Sequence, residues 1–343
     1  MAPVRNTRVL FNEYAEGYPI PGKTLVVDKS ETIDLEGAPL KNGQVLVKTI
    51  AISVDPYQRG RMSEPGKTTS GDAYELGKPL VNYVVVKVIR SENPDFAPGQ
   101  HVYGMGDFSE YQILTDLSTW KVLPETRGTP WSAYVGVLGM PGQTAFYGWK
   151  EAAHAKKGET IYISTAAGAV GSMVVQIAKA DGLKVIASAG TESKLQFLRE
   201  LGADVVFNYK TTNVEDVLKE HGPIDIYWDN AGGKSLDAAL ANLNTFGRVV
   251  KIGSISSYNS KPEPIYNTET ILWKRIIIRG VLVFDHHEQY LDEFYATFPP
   301  KVAKGEIKYV EHVVRSLDET PQLVLDQQKG NNTGKAVIVL ADE

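Results

Sequence analysis

The chain has 343 residues, 43% of them hydrophobic and 22% charged, with a formal net charge of −5. Its length predicts two domains, and its composition fits a globular protein without a basic field for nucleic acid or an anionic membrane. It has no cysteine, which excludes disulfides, thiolate nucleophiles and cysteine-containing zinc sites.

The N-terminus, Met-Ala-Pro-Val-Arg-Asn-Thr-Arg, lacks the apolar core of a secretion signal. No apolar run approaches the roughly 18 residues of a membrane span, and the expected location is cytoplasmic. Residues 1–130 read as strands and turns. The runs 24–28, 44–52 and 83–89 are rich in β-branched residues, with Pro/Gly punctuation at Pro19–Gly22, Lys41–Gly43, Glu64–Gly66 and Ala97–Gly99. The pattern predicts an antiparallel or barrel-like domain, with a further strand at 108–113.

Near Trp131 the texture changes. A helix is predicted at 143–150, then strand 160–164, helix 171–180, strand 184–188, helix 192–201, strand 205–207 and helix 213–220. Strand 225–228, helix 234–243 and strands 248–252 and 277–283 complete the series. Alternation of this kind means a doubly wound parallel sheet, and six strands make one dinucleotide domain. Strands near 311–315 and 334–340 are expected to return to the first domain, giving domains of 1–130 plus 304–343 and 131–303.

Residues 160–180 organise this second domain. An apolar run, Ile161-Tyr-Ile163, turns through Ala166, Gly168 and Gly171 into a segment whose apolar residues recur at three- and four-residue intervals. This is the strand–turn–helix setting in which a G-x-G-x-x-G spacing places a pyrophosphate on a helix N-terminus, with Ala replacing the first Gly. An NAD-specific site has an acid about 20 residues later to receive the ribose hydroxyls. Here that strand ends in Ala187-Ser-Ala-Gly190 with Lys194 beyond it, which favours the 2′-phosphate of NADPH. Glu192, past Gly190, is expected to cap or flank the next helix.

Residues at the carboxyl ends of the strands are the site candidates: Asp229-Asn230-Ala-Gly-Gly233, Gly253 to Tyr258, and Val281 to Val283. A tyrosine beside a nicotinamide can donate to a developing oxyanion. Tyr57 and Tyr258 follow turn sequences and are the leading candidates, with Tyr83 third. The adjacent His286 and His287 diverge on any regular element, so no metal site is expected. Asp225 and Asp229 read as caps rather than general acids.

Taken together, several segments resemble a known family nearly end to end. They are Asp55-Pro-Tyr-Gln-Arg59, Gly139-Met-Pro-Gly142, Ala166-Ala-Gly-Ala-Val-Gly171, Phe207-Asn-Tyr-Lys210, Asp229-Asn-Ala-Gly-Gly233, Ser254-Ile-Ser-Ser-Tyr-Asn259 and Gly330-Asn-Asn332-Thr-Gly-Lys335. The family is the zinc-independent medium-chain dehydrogenase/reductases, in the branch of prostaglandin reductase (leukotriene 12-hydroxydehydrogenase) and the plant alkenal double-bond reductases. The resemblance implies a chaperonin-ten-like β-barrel domain with a Rossmann-type domain inserted, and NADPH-dependent reduction of the double bond of enals and enones. It also implies a homodimer. It assigns Gly168, Ala169, Val170 and Gly171 to the pyrophosphate, and Lys194 to the 2′-phosphate. Tyr209, Asn230, Gly253, Ser254, Ile255, Ser256, Val281, Leu282, Val283 and Asn332 become further cofactor contacts. Tyr57 and Tyr258 fall where the family places substrate-facing tyrosines. The end of the sixth strand, Val281-Leu-Val-Phe-Asp-His-His287, departs from the animal branch. A quinone reductase, or a protein that holds NADPH without turnover, would share this fold and cofactor.

Overall fold

The computed structural model describes residues 2–125 and 127–342. The chain divides into two compact units: Met1–Gly136 with Glu311–Asn332 and Ala336–Glu343, and Val137–Val310 with Thr333–Lys335. The expected divisions lay after residue 130 and at residue 304.

The second unit carries a six-stranded sheet of β1 (Thr160–Ile163), β2 (Lys184–Ala189), β3 (Val205–Asn208), β4 (Ile224–Asp229), β5 (Leu243–Lys251) and β6 (Ile277–Gly280). Its order is β3-β2-β1-β4-β5-β6, and every pair is parallel. The helices are α1 (Met140–Gly148), α2 (Ala169–Ala180), α3 (Glu192–Glu200), α4 (Val214–His221), α5 (Gly233–Asn242), α6 (Glu269–Lys274) and α7 (His287–Ala303). Strand order reverses direction between β1 and β4, and ligands of such sheets bind beyond the carboxyl ends at that point. This is a Rossmann-type α/β fold, its sequence inserted into that of the strand-rich first unit.

Local chemistry explains the element ends. The Thr191 hydroxyl accepts the Lys194 N–H at 3.4 Å and caps α3, while the Asn213 side chain accepts the Glu215 N–H at 2.8 Å and caps α4. Tyr162, Ile186, Tyr227, Leu240 and Val249 are buried in one core on the sheet. The strand expected to reach residue 283 stops at Gly280. Its last ladder partner is Lys251, where β5 ends, and one more bond, Val281 N–H to the Lys251 carbonyl at 3.1 Å, closes the pairing. Val283–His286 then forms a 3₁₀ turn leading into α7. The sequence reading had not placed α7, whose interior holds Pro299 and Pro300.

The first unit is built on a seven-stranded sheet ordered Glu311–Val314, Lys335–Val339, Val45–Ser53, Val81–Ser91, His101–Asp107, Lys121–Val122, with Tyr111–Leu114 also pairing Val45–Ser53. Its central pairings are antiparallel. Val47, Ile52, Val84, Val86, Val102 and Ile338 form its buried core. The strand expected at 108–113 is found as Tyr111–Leu114, and a further strand, His101–Asp107, precedes it. Gly104 and Gly106 lie within His101–Asp107, and the Trp120 ring rests where a Cβ of residue 104 would stand.

Candidate functional site

The turn after β1 is built around close backbone approach. Thr165 takes a left-handed φ of +46°, and the Ala166 N–H reaches the Ser188 carbonyl at 2.8 Å, tying the turn to β2. Gly168 is the N-cap of α2, which no side chain caps, so the helix start presents backbone N–H groups. A Cβ on Gly171 would stand 2.7 Å from the Cα and carbonyl oxygen of Ala166. Those are backbone atoms and cannot rotate away. We expect Gly171→Ala to destabilise the protein by about 1–3 kcal/mol, read as a lowered urea midpoint; an unchanged midpoint would contradict this packing.

Gly190 follows the end of β2, and its surroundings are cationic. A Cβ there would lie 2.9 Å from Lys210 Cε and 3.1 Å from the Tyr209 hydroxyl. Lys194, in the first turn of α3, is half-buried, and burial lowers its pKa below the ordinary lysine value, with the neighbouring Lys210 adding to the shift. Two lysines and a tyrosine hydroxyl around a strand end suit an anion. Glu192, the one acid nearby in sequence, turns away to Arg199 at 2.7 Å.

The ends of β1, β4 and β5 are bound together by one residue. Asn230 donates its side-chain amide to the Ser164 carbonyl at 2.7 Å, and its backbone N–H reaches the Ser164 hydroxyl at 3.1 Å. Its carbonyl accepts the Ile255 N–H at 3.2 Å, and Ser256 N–H bonds to the Ala231 carbonyl at 3.1 Å. Beneath them Asp229 is fully buried and accepts from Tyr227 (2.8 Å), Gly232 N–H (2.6 Å) and Lys251 (2.6 Å). It fastens the loop and is not placed as a general acid.

Tyr258 lies against this assembly. A Cβ on Gly253 would meet the Tyr258 hydroxyl at 3.1 Å and the Asn230 carbonyl at 3.3 Å, so glycine keeps this backbone bare. The Tyr258 hydroxyl accepts the Ser254 N–H at 3.3 Å, and its own proton has no acceptor among the described residues. Burial raises its pKa, so the phenol stays protonated at neutral pH and able to donate. The predicted residues Gly168 to Gly171, Asn230, Gly253 to Ser256 and Tyr258 thus gather around the carboxyl ends of β1, β4 and β5. Val281 and Val283 are buried just past β6, and Leu282 is exposed. The grooves and N–H groups fit a dinucleotide on three independent counts: the Gly171 approach, the bare Gly253 backbone and the lysines at Gly190.

Tyr57, Tyr83 and Asn332 belong to the first unit. Tyr83 is buried and stacked on Tyr103 at 5.2 Å, which makes it a packing residue. Asn332 follows the helix Thr320–Lys329. Tyr57, expected to share the donor role with Tyr258, already donates its hydroxyl proton to Asn82 at 2.6 Å.

Comparison with known proteins agrees with this geometry. A zinc-binding dehydrogenase family model matches residues 169–297, and a model of an N-terminal oxidoreductase domain matches residues 21–122. The chain is 37% identical to an NADP(+)-dependent 2-alkenal reductase of Nicotiana tabacum over 99% of both chains. It is 35% identical to prostaglandin reductase 1 of Bos taurus, covering 90% of this chain and 92% of that one. The chain belongs to the zinc-independent medium-chain dehydrogenase/reductase family, in the branch of the alkenal and prostaglandin reductases. A solved structure of CurA from Vibrio vulnificus in complex with NADPH superposes with a TM-score of 0.88 at 32% identity, covering 98% of this chain and 99% of that one. An Escherichia coli quinone oxidoreductase complexed with NADPH has a TM-score of 0.75 at 19% identity, a likeness of fold alone.

In this medium-chain reductase, no group of three or more His, Cys, Asp or Glu side chains among the described residues is placed to hold a metal ion. His287 instead faces the Tyr147 hydroxyl at 3.4 Å. Sequence reasoning missed Lys210, whose only signal was its position beside Tyr209. It also missed Lys251, which follows an apolar strand and reads as an ordinary exposed end until Asp229 is found beneath it. Asn82 was missed because nothing in its neighbourhood marks it.

Proposed function

We propose that this protein reduces the carbon–carbon double bond of α,β-unsaturated aldehydes and ketones with NADPH. It is an NADP-dependent oxidoreductase, and the observation that carries the reading is Tyr258: a protonated, donor-competent phenol over the bare Gly253 backbone of a dinucleotide cradle. The α2 N-terminus and the close turn at Gly171 would hold the pyrophosphate, and Lys194, Lys210 and Tyr209 would hold the 2′-phosphate. NADPH when bound supplies a hydride, which the reaction places on the substrate β-carbon.

Negative charge then collects on the substrate carbonyl oxygen as an enolate. Tyr258 donates its free proton in a hydrogen bond to that oxygen, while the Ser254 N–H to its own oxygen keeps the ring in place. A pre-placed donor of this kind contributes about 3–4 kcal/mol to the transition state. A proton taken from solvent water at the α-carbon completes the reaction. NADPH deuterated at the reactive face of nicotinamide C4 tests the step. Deuterium on the β-carbon of the product is expected; deuterium on the carbonyl carbon or the α-carbon would overturn it.

The proposal includes a cytoplasmic homodimer acting on small molecules. No helix of the described residues is long and apolar enough to cross a membrane. All four residues of the edge strand β6 are exposed, and Leu272, Trp273, Ile277, Ile278, Leu282 and Phe284 are exposed around it. An unprotected apolar edge strand is a template for pairing with its own copy about a two-fold axis. Sedimentation at twice the 37.7 kDa chain mass is expected, reduced to one chain by Ile278→Lys. A wild-type monomer, or a dimer untouched by the substitution, would remove this edge as the interface.

A further inference from the structure

A buried charge lies beneath the cofactor cradle, and one lysine answers it. Asp229 is fully buried, while the side chain of Lys251 is 28% exposed. The two carboxylate oxygens of Asp229 have different partners. Oδ1 accepts from the Tyr227 hydroxyl at 2.8 Å, the Ala231 N–H at 3.0 Å and the Gly232 N–H at 2.6 Å. Oδ2 accepts from the Lys251 ammonium at 2.6 Å. One oxygen shapes the loop, and the other carries the ion pair. The Asp229 carbonyl also accepts the Ile252 and Gly253 N–H groups at 2.9 and 3.1 Å, so the segment that bears Tyr258 is anchored on this residue.

The ammonium stands close to that segment. A Cβ on Gly232 would lie 3.3 Å from Lys251 Nζ and 3.2 Å from Ser254 Oγ, so the lysine and the serine flank the same bare backbone. Ser254 is the residue whose N–H the Tyr258 hydroxyl accepts. Burial raises the Tyr258 pKa, the Ser254 N–H lowers it, and the Asp229 charge raises it again. The phenol therefore feels the carboxylate, and a negative charge nearby makes it a poorer donor. In a low dielectric that influence is strong, unless a cation beside the carboxylate cancels it. Glu263, beside Gly233, is paired instead with Lys234 at 3.7 Å, and both are exposed.

We infer that Lys251 is a positioning residue for the reaction, whose charge offsets that of buried Asp229 beneath the cradle and so keeps Tyr258 a strong hydrogen-bond donor. Its ion pair with Oδ2 leaves the three loop bonds on Oδ1 undisturbed. This inference rests on the proposed reading in one respect, that Tyr258 donates to the substrate.

Charge is separable from loop geometry, because asparagine at 229 keeps an acceptor oxygen at the Oδ1 position. The first readout is the titration of residue 258 by fluorine NMR, in the whole chain carrying difluorotyrosine there. The fluorines make the phenol more acidic, so that it titrates where the fold survives. Relative to wild type, Lys251→Met is expected to move that titration to higher pH and Asp229→Asn to lower pH, with the double variant between the two. Lys251→Arg, which keeps the charge, leaves it in place. The second readout is enone turnover at neutral pH with ordinary tyrosine. Lys251→Met is expected to lower kcat about 3- to 10-fold, the size of one screened charge coupling, with NADPH affinity unchanged. Lys251→Arg retains kcat, and Lys251→Met adds nothing in the Tyr258→Phe background.

A merely structural Lys251 would lower kcat without moving the titration, and that result would overturn the inference. So would a moved titration with unchanged turnover of enones. Leaving Asp229 buried without its partner is costly, and Lys251→Met alone could fail to fold. The comparison of Asp229→Asn with the double variant then decides, since neither holds the buried charge. A titration at higher pH in the double variant supports the inference, and identical titrations overturn it. A protein that reduces no enone would end the proposed function. The titration needs no substrate and would still decide whether Lys251 offsets Asp229 at Tyr258.

Discussion

Replacing Tyr258 by Phe lowers kcat for enone reduction about 10²-fold and leaves the dissociation constant of NADPH within about twofold. The size follows from where the phenol stands. Its oxygen is held by the Ser254 N–H at 3.3 Å, and no acceptor among the described residues takes its proton. The substitution removes only the hydroxyl that lies over Gly253 and preserves the ring, while the Asn230 bonds that hold the cradle are untouched. Stopped-flow measurement of the hydride step, with fluorescence titration of NADPH beside it, separates the two effects. Unchanged turnover on several enones would remove Tyr258 from the mechanism. A large loss of NADPH affinity would make it a cofactor-packing residue instead.

Lys194→Ala raises the dissociation constant of NADPH about 10- to 100-fold and that of NADH far less, because a charge-assisted contact to the 2′-phosphate is worth about 1.5–3 kcal/mol. Equal losses for both cofactors would contradict the phosphate role. A pH dependence follows with a definite sign. Burial and Lys210 lower the Lys194 pKa, which brings loss of its charge nearer to neutral pH. Below that pKa the ammonium binds the phosphate; as pH rises through it the charge is lost and NADPH affinity falls. The alkaline fall is expected in wild type and reduced in Lys194→Ala. A fall of the same size in both would place the titrating group elsewhere. Lys210 remains in the variant and accounts for any residual discrimination between the two cofactors.

The Rossmann half was legible because its signals are local. A helix period after a small-residue turn, repeated between β-branched runs, predicts alternating strands and helices, and five of the six strands end within two residues of expectation. Where β6 fell short, the cause was not local: its ladder stops where β5 does, at Lys251, and only the neighbouring strand carries that information. Helix α7 was hidden by its own Pro299 and Pro300, and the strand His101–Asp107 by Gly104, which leaves room for the Trp120 ring, and Gly106, which leaves room for Val84 and Gln112.

The site divides in the same way. Gly171 and Lys194 announce themselves by spacing along the chain. Asn82 and Lys251 act through partners 25 and 22 residues away, Tyr57 and Asp229, which lie on other elements of the chain. The donor role first given to Tyr57 shows the limit most clearly. Sequence places a tyrosine; it does not say where the proton of that tyrosine points, and in the structure it points to Asn82.

The measurement that tests the account most directly is NADPH oxidation against four substrates: a linear enal, an aromatic enone, a simple quinone and a saturated aldehyde, each with and without a chelator. Turnover of the enal and the enone is expected, with none of the saturated aldehyde and no effect of the chelator. Turnover of the quinone alone, chelator-sensitive reduction of the aldehyde, or tight NADPH binding with no turnover of any of the four would contradict it.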